Sequence, residues 1–266
     1  MSKKFLSVTL VLFFLAAGAG YLFGDFESIV AYFLTFLPPL IAVFCGIYAV
    51  KTYDLNNPHA KAIAIMSLGV FFWFIGEFIW FIFEYFLNKD PFPSIADFFY
   101  LTAYPILLIG LFTELKTNKT SWDFKKAIAG AFFVIVFSVL VFYFGIYLAF
   151  DPEETFINNL VAIAYGLGDL ILMVFALNIL MIALGYKKGR LCLPWYYLLA
   201  GFFALLSADL LFAVYRKEYE EFLAPYRLLD LGWTAGFLLI AYGFYNIGFE
   251  VKKAAEKLLF SPSSQK

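Results

Sequence analysis

Eight apolar stretches, each near the length that crosses a bilayer, leave little choice of fold class. A membrane-crossing helix takes about 20 predominantly apolar residues. Such runs lie at Phe5–Phe23, Ile29–Val50, Ala62–Leu87, Ser94–Leu115, Ala127–Phe150, Phe156–Gly185, Leu193–Tyr215 and Pro225–Phe249. Lipid offers no partners to backbone N–H and C=O groups, so such runs satisfy them internally as helices. The expectation is an all-α polytopic membrane helix bundle with eight transmembrane helices. Composition agrees: 64% of residues are hydrophobic and 15% charged, against about half and about a quarter in soluble domains.

Charge placement tests the count. With the N-terminus inside, the inner segments hold fifteen of the 19 Lys and Arg residues, and the outer loops keep only Lys89, Arg216, Lys217 and Arg227. Basic residues accumulate on the cytoplasmic side, so both termini are expected there, in the cell membrane. Lys3-Lys4, the apolar stretch and the small run Ala16–Gly20 also resemble a signal peptide. Retention is favoured, because the repeat described below uses this helix. One membrane domain over 1–249 is expected, followed by a short cytoplasmic tail, 250–266.

Several function classes drop out. A net charge of −1 argues against a nucleic-acid partner. Cys45 and Cys192 form no CxxC pair, and His59 is the single histidine, so no disulfide framework, haem ligand pair or zinc knuckle is signalled. No cofactor and no metal are expected. GxSxG, HExxH and a phosphate-binding glycine loop are all absent from the sequence, so no catalytic residue is assigned and an enzyme is not expected.

The informative residues are acids inside the apolar runs. Trp73, Glu77, Trp80 and Glu84 recur at i, i+4, i+7 and i+11, which puts them on one helical face. Glu77, Glu84, Asp97, Asp169, Asp209 and Asp230 all fall within or at the edge of the runs, with Arg227 counted among the loop charges and no cation expected to pair with them. Intramembrane carboxyl groups are costly and usually face a bundle interior or a wet cavity. Helix four carries Asp97, Tyr100 and Tyr104, helix six Tyr165 and Asp169, and helix eight Asp230 and Trp233. Trp73, Glu77, Trp80, Tyr100, Tyr104, Asp169, Asp209, Asp230 and Trp233 form the candidate ligand-binding set, suited to a small apolar or cationic ligand. Each has a plainer alternative. The acids also serve as interhelical glue. Ser94-x-x-Asp97 has capping-box spacing, Asp230 follows Pro225 in a similar way, and Glu84 can reach the outer surface. Tryptophans also populate interfacial belts. Pro38-Pro39 is expected to kink helix two, which either shapes a cavity or merely improves packing.

The chain reads as though written twice. Ile95–Phe112 aligns with Leu228–Tyr245, setting Asp97 against Asp230 and Tyr100 against Trp233. Upstream, Glu77 falls beside Asp209, and Pro39 opposite Asp169. Each half has four helices, so the halves, about 1–116 and 125–249, form a 4+4 parallel repeat about an axis along the membrane normal.

The pieces Trp73-x-x-Gly76-Glu77-x-x-Trp80, Pro91–Leu111, Tyr165–Met173, Ser207–Tyr215 and Leu228–Leu239 together resemble the multi-helix membrane sensor regions that precede diguanylate-cyclase, phosphodiesterase or histidine-kinase output domains in prokaryotes. The resemblance implies a bundle that senses a cue and passes it to a cytoplasmic domain. Only a short tail follows helix eight, so signalling through a cytoplasmic or membrane partner in trans is expected. Gly168-Asp169 alone resembles the Gly-Asp pairs of lysoplasmalogenase-type membrane hydrolases. The function expected is a sensory or ligand-binding bundle with an outward-facing acid–aromatic pocket. The alternatives are a small ion-coupled transporter and, third, a membrane lipid hydrolase.

Overall fold

The computed structural model describes residues 2–23, 29–54, 56–117, 124–148, 150–185, 192–221 and 225–259. Among the described residues, eight helices are long and apolar enough to cross a membrane, and no strand is present. They are α1 (Lys3–Phe23), α2 (Ile29–Val50), α3 (Pro58–Phe81), α4 (Ile95–Thr117), α5 (Phe124–Leu140), α6 (Phe156–Gly185), α7 (Cys192–Glu220) and α8 (Leu229–Leu259). Helix α3 runs on through a π-helical turn, Ile82–Phe86, and α5 through a second, Val141–Leu148. A 3-10 turn, Tyr226–Leu228, leads into α8.

Local signals explain the ends. Asn57 caps α3, its side-chain oxygen accepting from the His59 N–H at 2.9 Å, with Pro58 at the first helical position, where its missing donor costs nothing. At α4 the capping box forms. Ser94 Oγ accepts from the Ala96 N–H at 3.0 Å, and Asp97 Oδ2 accepts from the Ser94 N–H at 2.6 Å. After the first π-helical turn, Asn88 adopts φ 46°, a left-handed conformation that asparagine tolerates.

Two expected boundaries shift. Helix α7 continues past Tyr215, where a local kink (φ −112°, ψ 27°) redirects it to Glu220. Helix α8 continues to Leu259, so the first part of the expected tail is helical. The loop at 118–123, the loop at 186–191 and the segment 260–266 lie outside the described residues.

The core is built by α2, α3, α4, α6, α7 and α8, with the broadest interfaces between α3 and α4 and between α7 and α8. Small residues let both pairs approach closely. A Cβ on Gly69 would stand 2.5 Å from Leu107 Cγ, and one on Gly201 would stand 2.8 Å from the Gly236 carbonyl oxygen. Helix α2 packs against α3 and α8, and α6 packs against α7 and α4. Helix α5 lies at the rim, with Phe132, Ile135 and Phe142 more than 60% exposed. Large exposed apolar side chains also stud α1, α2 and α6. A continuous apolar exterior of this kind is costly in water and suits a lipid surround. Pro38 and Pro39 sit buried inside α2.

Candidate functional site

The segments between α3 and α4, between α5 and α6, and between α7 and α8 gather at one end of the bundle. Ion pairs tie α7 to the segment between α5 and α6: Arg216 to Glu154, and Lys217 Nζ to Asp151 Oδ2 at 2.7 Å. The hydrogen bond from the Lys217 ammonium holds the Asp151 carboxyl below the usual carboxylate range.

From this end a cavity of about 350 Å³ runs inward between α1, α2, α3, α4, α6, α7 and α8 as far as Trp73, Leu205 and Phe237. Of the nine residues expected at a ligand site, eight line it: Trp73, Glu77, Trp80, Tyr100, Tyr104, Asp209, Asp230 and Trp233. Asp169 does not. Tyr104 stands between it and the cavity, because Gly168 admits the tyrosine ring where a Cβ would stand 2.6 Å from Tyr104 Cδ1. Pro38 and Pro39 are absent from the lining, where Tyr32 and Thr35 represent α2.

The acids are held by aromatic donors. Tyr100 is seated against Gly76, beside Glu77 on the cavity wall. The Trp233 indole N–H donates to Asp209 Oδ1 at 2.6 Å. The Tyr104 hydroxyl lies 2.8 Å from Asp169 Oδ1 and 3.5 Å from Asp209 Oδ2. Tyr165 donates to Asp97 Oδ1 at 2.6 Å, so Asp97 both caps α4 and binds across to α6. Tyr219 donates to Asp230 Oδ1 at 2.6 Å, and the Tyr21 hydroxyl of α1, which also lines the cavity, donates to the Ala31 carbonyl at 3.3 Å. The Trp80 N–H donates to Glu84 Oε2 at 3.1 Å, the i, i+4 contact that their shared face anticipates. Trp73 is buried, with Tyr104, Phe202 and Phe237 arrayed edge-on around it.

One expectation is corrected. Arg227 is not an exposed loop charge. It is 3% exposed, donates to Glu84 Oε1 at 3.2 Å, lies 3.7 Å from Asp230 Oδ2 and stacks 4.1 Å over the Tyr219 ring. The 3-10 turn that carries it folds into the mouth of the cavity, and Glu84 turns inward to meet it instead of reaching the surface. Tyr21, Tyr165, Tyr219 and Arg227 are therefore site residues outside the expected set. Tyr165 at i−4 from Asp169 was the available signal for one of them. The other two tyrosines are hidden among 18.

Chemically, the interior is a carboxyl-rich, ring-walled space whose described ion pairs include one buried guanidinium. Faces of Trp and Tyr attract cations, and carboxylates complement them. No group of three or more His, Cys, Asp or Glu able to hold a metal ion is found among the described residues. No protein-family model, curated protein or solved structure matches the chain.

Proposed function

We propose that this protein is a multi-pass membrane bundle that binds a small organic cation in the acid–aromatic cavity and passes the occupancy on through helix packing to a partner protein. The observation that carries the reading is the cavity of about 350 Å³ in which Glu77 and Asp209 face Trp73, Trp80 and Trp233. That volume lies at the small end of the range for small-molecule sites, and a few convergent polar groups amid aromatic walls are typical of them. The likeness of the quoted sequence pieces to prokaryotic membrane sensor regions supports a sensory role.

The cavity end is the outer face in this reading, and both termini are cytoplasmic, as the distribution of Lys and Arg favours. The chain is a 4+4 parallel repeat. Its support is the way α2 meets α3 and α8 while α6 meets α7 and α4. The acid–aromatic pair Glu77–Tyr100 then has its counterpart in Asp209–Trp233. A second reading, an ion-coupled transporter, draws on the same arrangement, since the cavity lies where the two halves meet.

The test titrates purified protein in mild detergent with tetramethylammonium and with its neutral isostere neopentane-type alcohols, following tryptophan fluorescence. A charge-assisted contact contributes about 1.5–3 kcal/mol, so Glu77→Gln is expected to weaken binding of the cation roughly 10- to 100-fold. Equal binding of the neutral compound, or unchanged affinity in Glu77→Gln, refutes the cation site. Gradient-driven uptake of the cation into proteoliposomes would favour the transporter.

A further inference from the structure

The cavity explains Glu77 but not Asp169. That side chain sits about 20 Å along α6 at the 1.5 Å rise of a helix. It is 3% exposed and off the cavity wall. Its Oδ1 takes the Tyr104 hydroxyl, while its Oδ2 is buried with no hydrogen-bond donor. One Tyr104 hydroxyl bridges Asp169 and Asp209 of α7, 2.8 Å from Asp169 Oδ1 and 3.5 Å from Asp209 Oδ2, so the two carboxyl groups are neighbours. Neither aspartate takes part in an ion pair among the described residues.

Two ionised carboxylates in such a place would repel at close range without a counter-charge, and burying each unpaired charge is very costly. Tyr104 has one proton to give and cannot satisfy both. A single added proton resolves the arrangement. Shared between the two carboxyl groups, it removes one of the two charges, while Tyr104 continues to donate to Asp169 Oδ1 and Trp233 to Asp209 Oδ1. The titratable groups facing the pair are Tyr104 from α4, Tyr165 from α6 and Glu77 from α3. The phenols are neutral donors, and Glu77 adds only negative charge, so none of them replaces the proton.

We propose that Asp169 and Asp209 form a proton-binding site, a carboxyl–carboxylate pair that holds one exchangeable proton deep in the bundle and loads it from the cavity through Asp209. Asp209 lines the cavity and Asp169 does not, so the pair has one wet member and one dry one. Loading breaks the bond between the proton and its aqueous donor and forms the Asp209 O–H, raising the charge of the pair from −2 to −1. The site shares Asp209 with the cation reading but not Asp169, which lies off the cavity wall, so Asp169→Asn tests the pair alone and Glu77→Gln the cation site alone.

Infrared spectroscopy of the purified full chain at neutral pH tests this through the C=O stretch of a protonated carboxylic acid. The wild type is expected to show such a band and to shift it in D2O, because Asp209 touches the cavity. Asp169→Asn and Asp209→Asn are each expected to remove the intensity of one carboxyl group, since either leaves a lone carboxylate with amide, indole and phenol donors. Glu77→Gln is expected to leave the pair's band in place. A wild type without a protonated carboxyl band overturns the site with no variant needed, as does a band whose intensity is unchanged by both aspartate substitutions. Stabilisation of wild type by sodium in place of such a band overturns it too, by assigning the pair a metal ion.

Discussion

Replacing Arg227 tests the reasoning about the cavity mouth most directly. The guanidinium lies 3.2 Å from Glu84 Oε1 and 3.7 Å from Asp230 Oδ2, with 3% of the residue exposed. At an effective dielectric constant near 20, each attraction is about 4–5 kcal/mol gross, and the stacked Tyr219 ring adds about 1–2 kcal/mol. Desolvation cancels much of this in the native protein. Removing only the cation leaves two buried acids without their counter-charge, and breaking a buried pair in that way costs about 3–5 kcal/mol. Arg227→Met is therefore expected to lose about 3–5 kcal/mol of unfolding free energy, measured by sodium dodecyl sulfate titration in mixed micelles with circular dichroism as the readout. Adding Glu84→Gln and Asp230→Asn to that variant removes the orphaned charges and is expected to recover at least half of the loss. A single variant within about 0.5 kcal/mol of wild type would show that the three charges are not coupled. So would a triple variant no more stable than the single one.

Two further outcomes follow from the packing and the loops. Gly168→Ala drives a Cβ to 2.6 Å from Tyr104 Cδ1 and is expected to cost about 1–3 kcal/mol by overpacking; a variant within about 0.5 kcal/mol of wild type in the same titration would put the ring elsewhere. Outside the spans, burial pushes the Tyr53 phenol up to about 12, with Glu114 adding to it. The folded state therefore keeps this phenol neutral where the unfolded chain ionises, so its contribution is intact below pH ~10 and is lost as pH rises towards ~12, about 2–3 kcal/mol in all. Tyr53→Phe is expected to flatten that alkaline limb by one proton, and an unchanged slope contradicts the burial of this ring.

Hydropathy made the eight spans readable, because a helix long enough to cross lipid has few ways to hide. Spacing likewise placed Trp73, Glu77 and Trp80 on one face, and it carried over to the cavity wall. What spacing does not carry is depth across a non-helical turn. Arg227 sits two residues after Pro225, where a loop charge and a buried counter-ion read alike, and only the 3-10 turn distinguishes them. Asp169 illustrates a different limit. Its helix and its polarity were plain, but whether it touched the cavity was decided by a ring from α4 entering the notch at Gly168. The capping role of Asp97 was legible from Ser94-x-x-Asp97. Its bond to Tyr165, 68 residues away, depends on how α4 meets α6.

The α2–α8 interface has a consequence for how the protein is made. Helix α2 emerges from the ribosome well before α8, yet the two pack along each other, and Lys3 of α1 pairs with Glu250 of α8. Until α8 and the turn before it are inserted, Asp230 and Arg227 have not arrived and Glu84 lacks the guanidinium it pairs with. The early helices must then wait, with acids still unpaired, beside the insertion machinery or in locally wet lipid. A chain truncated before α8 is accordingly a candidate for rapid degradation by membrane proteases, however many of its spans are already in place.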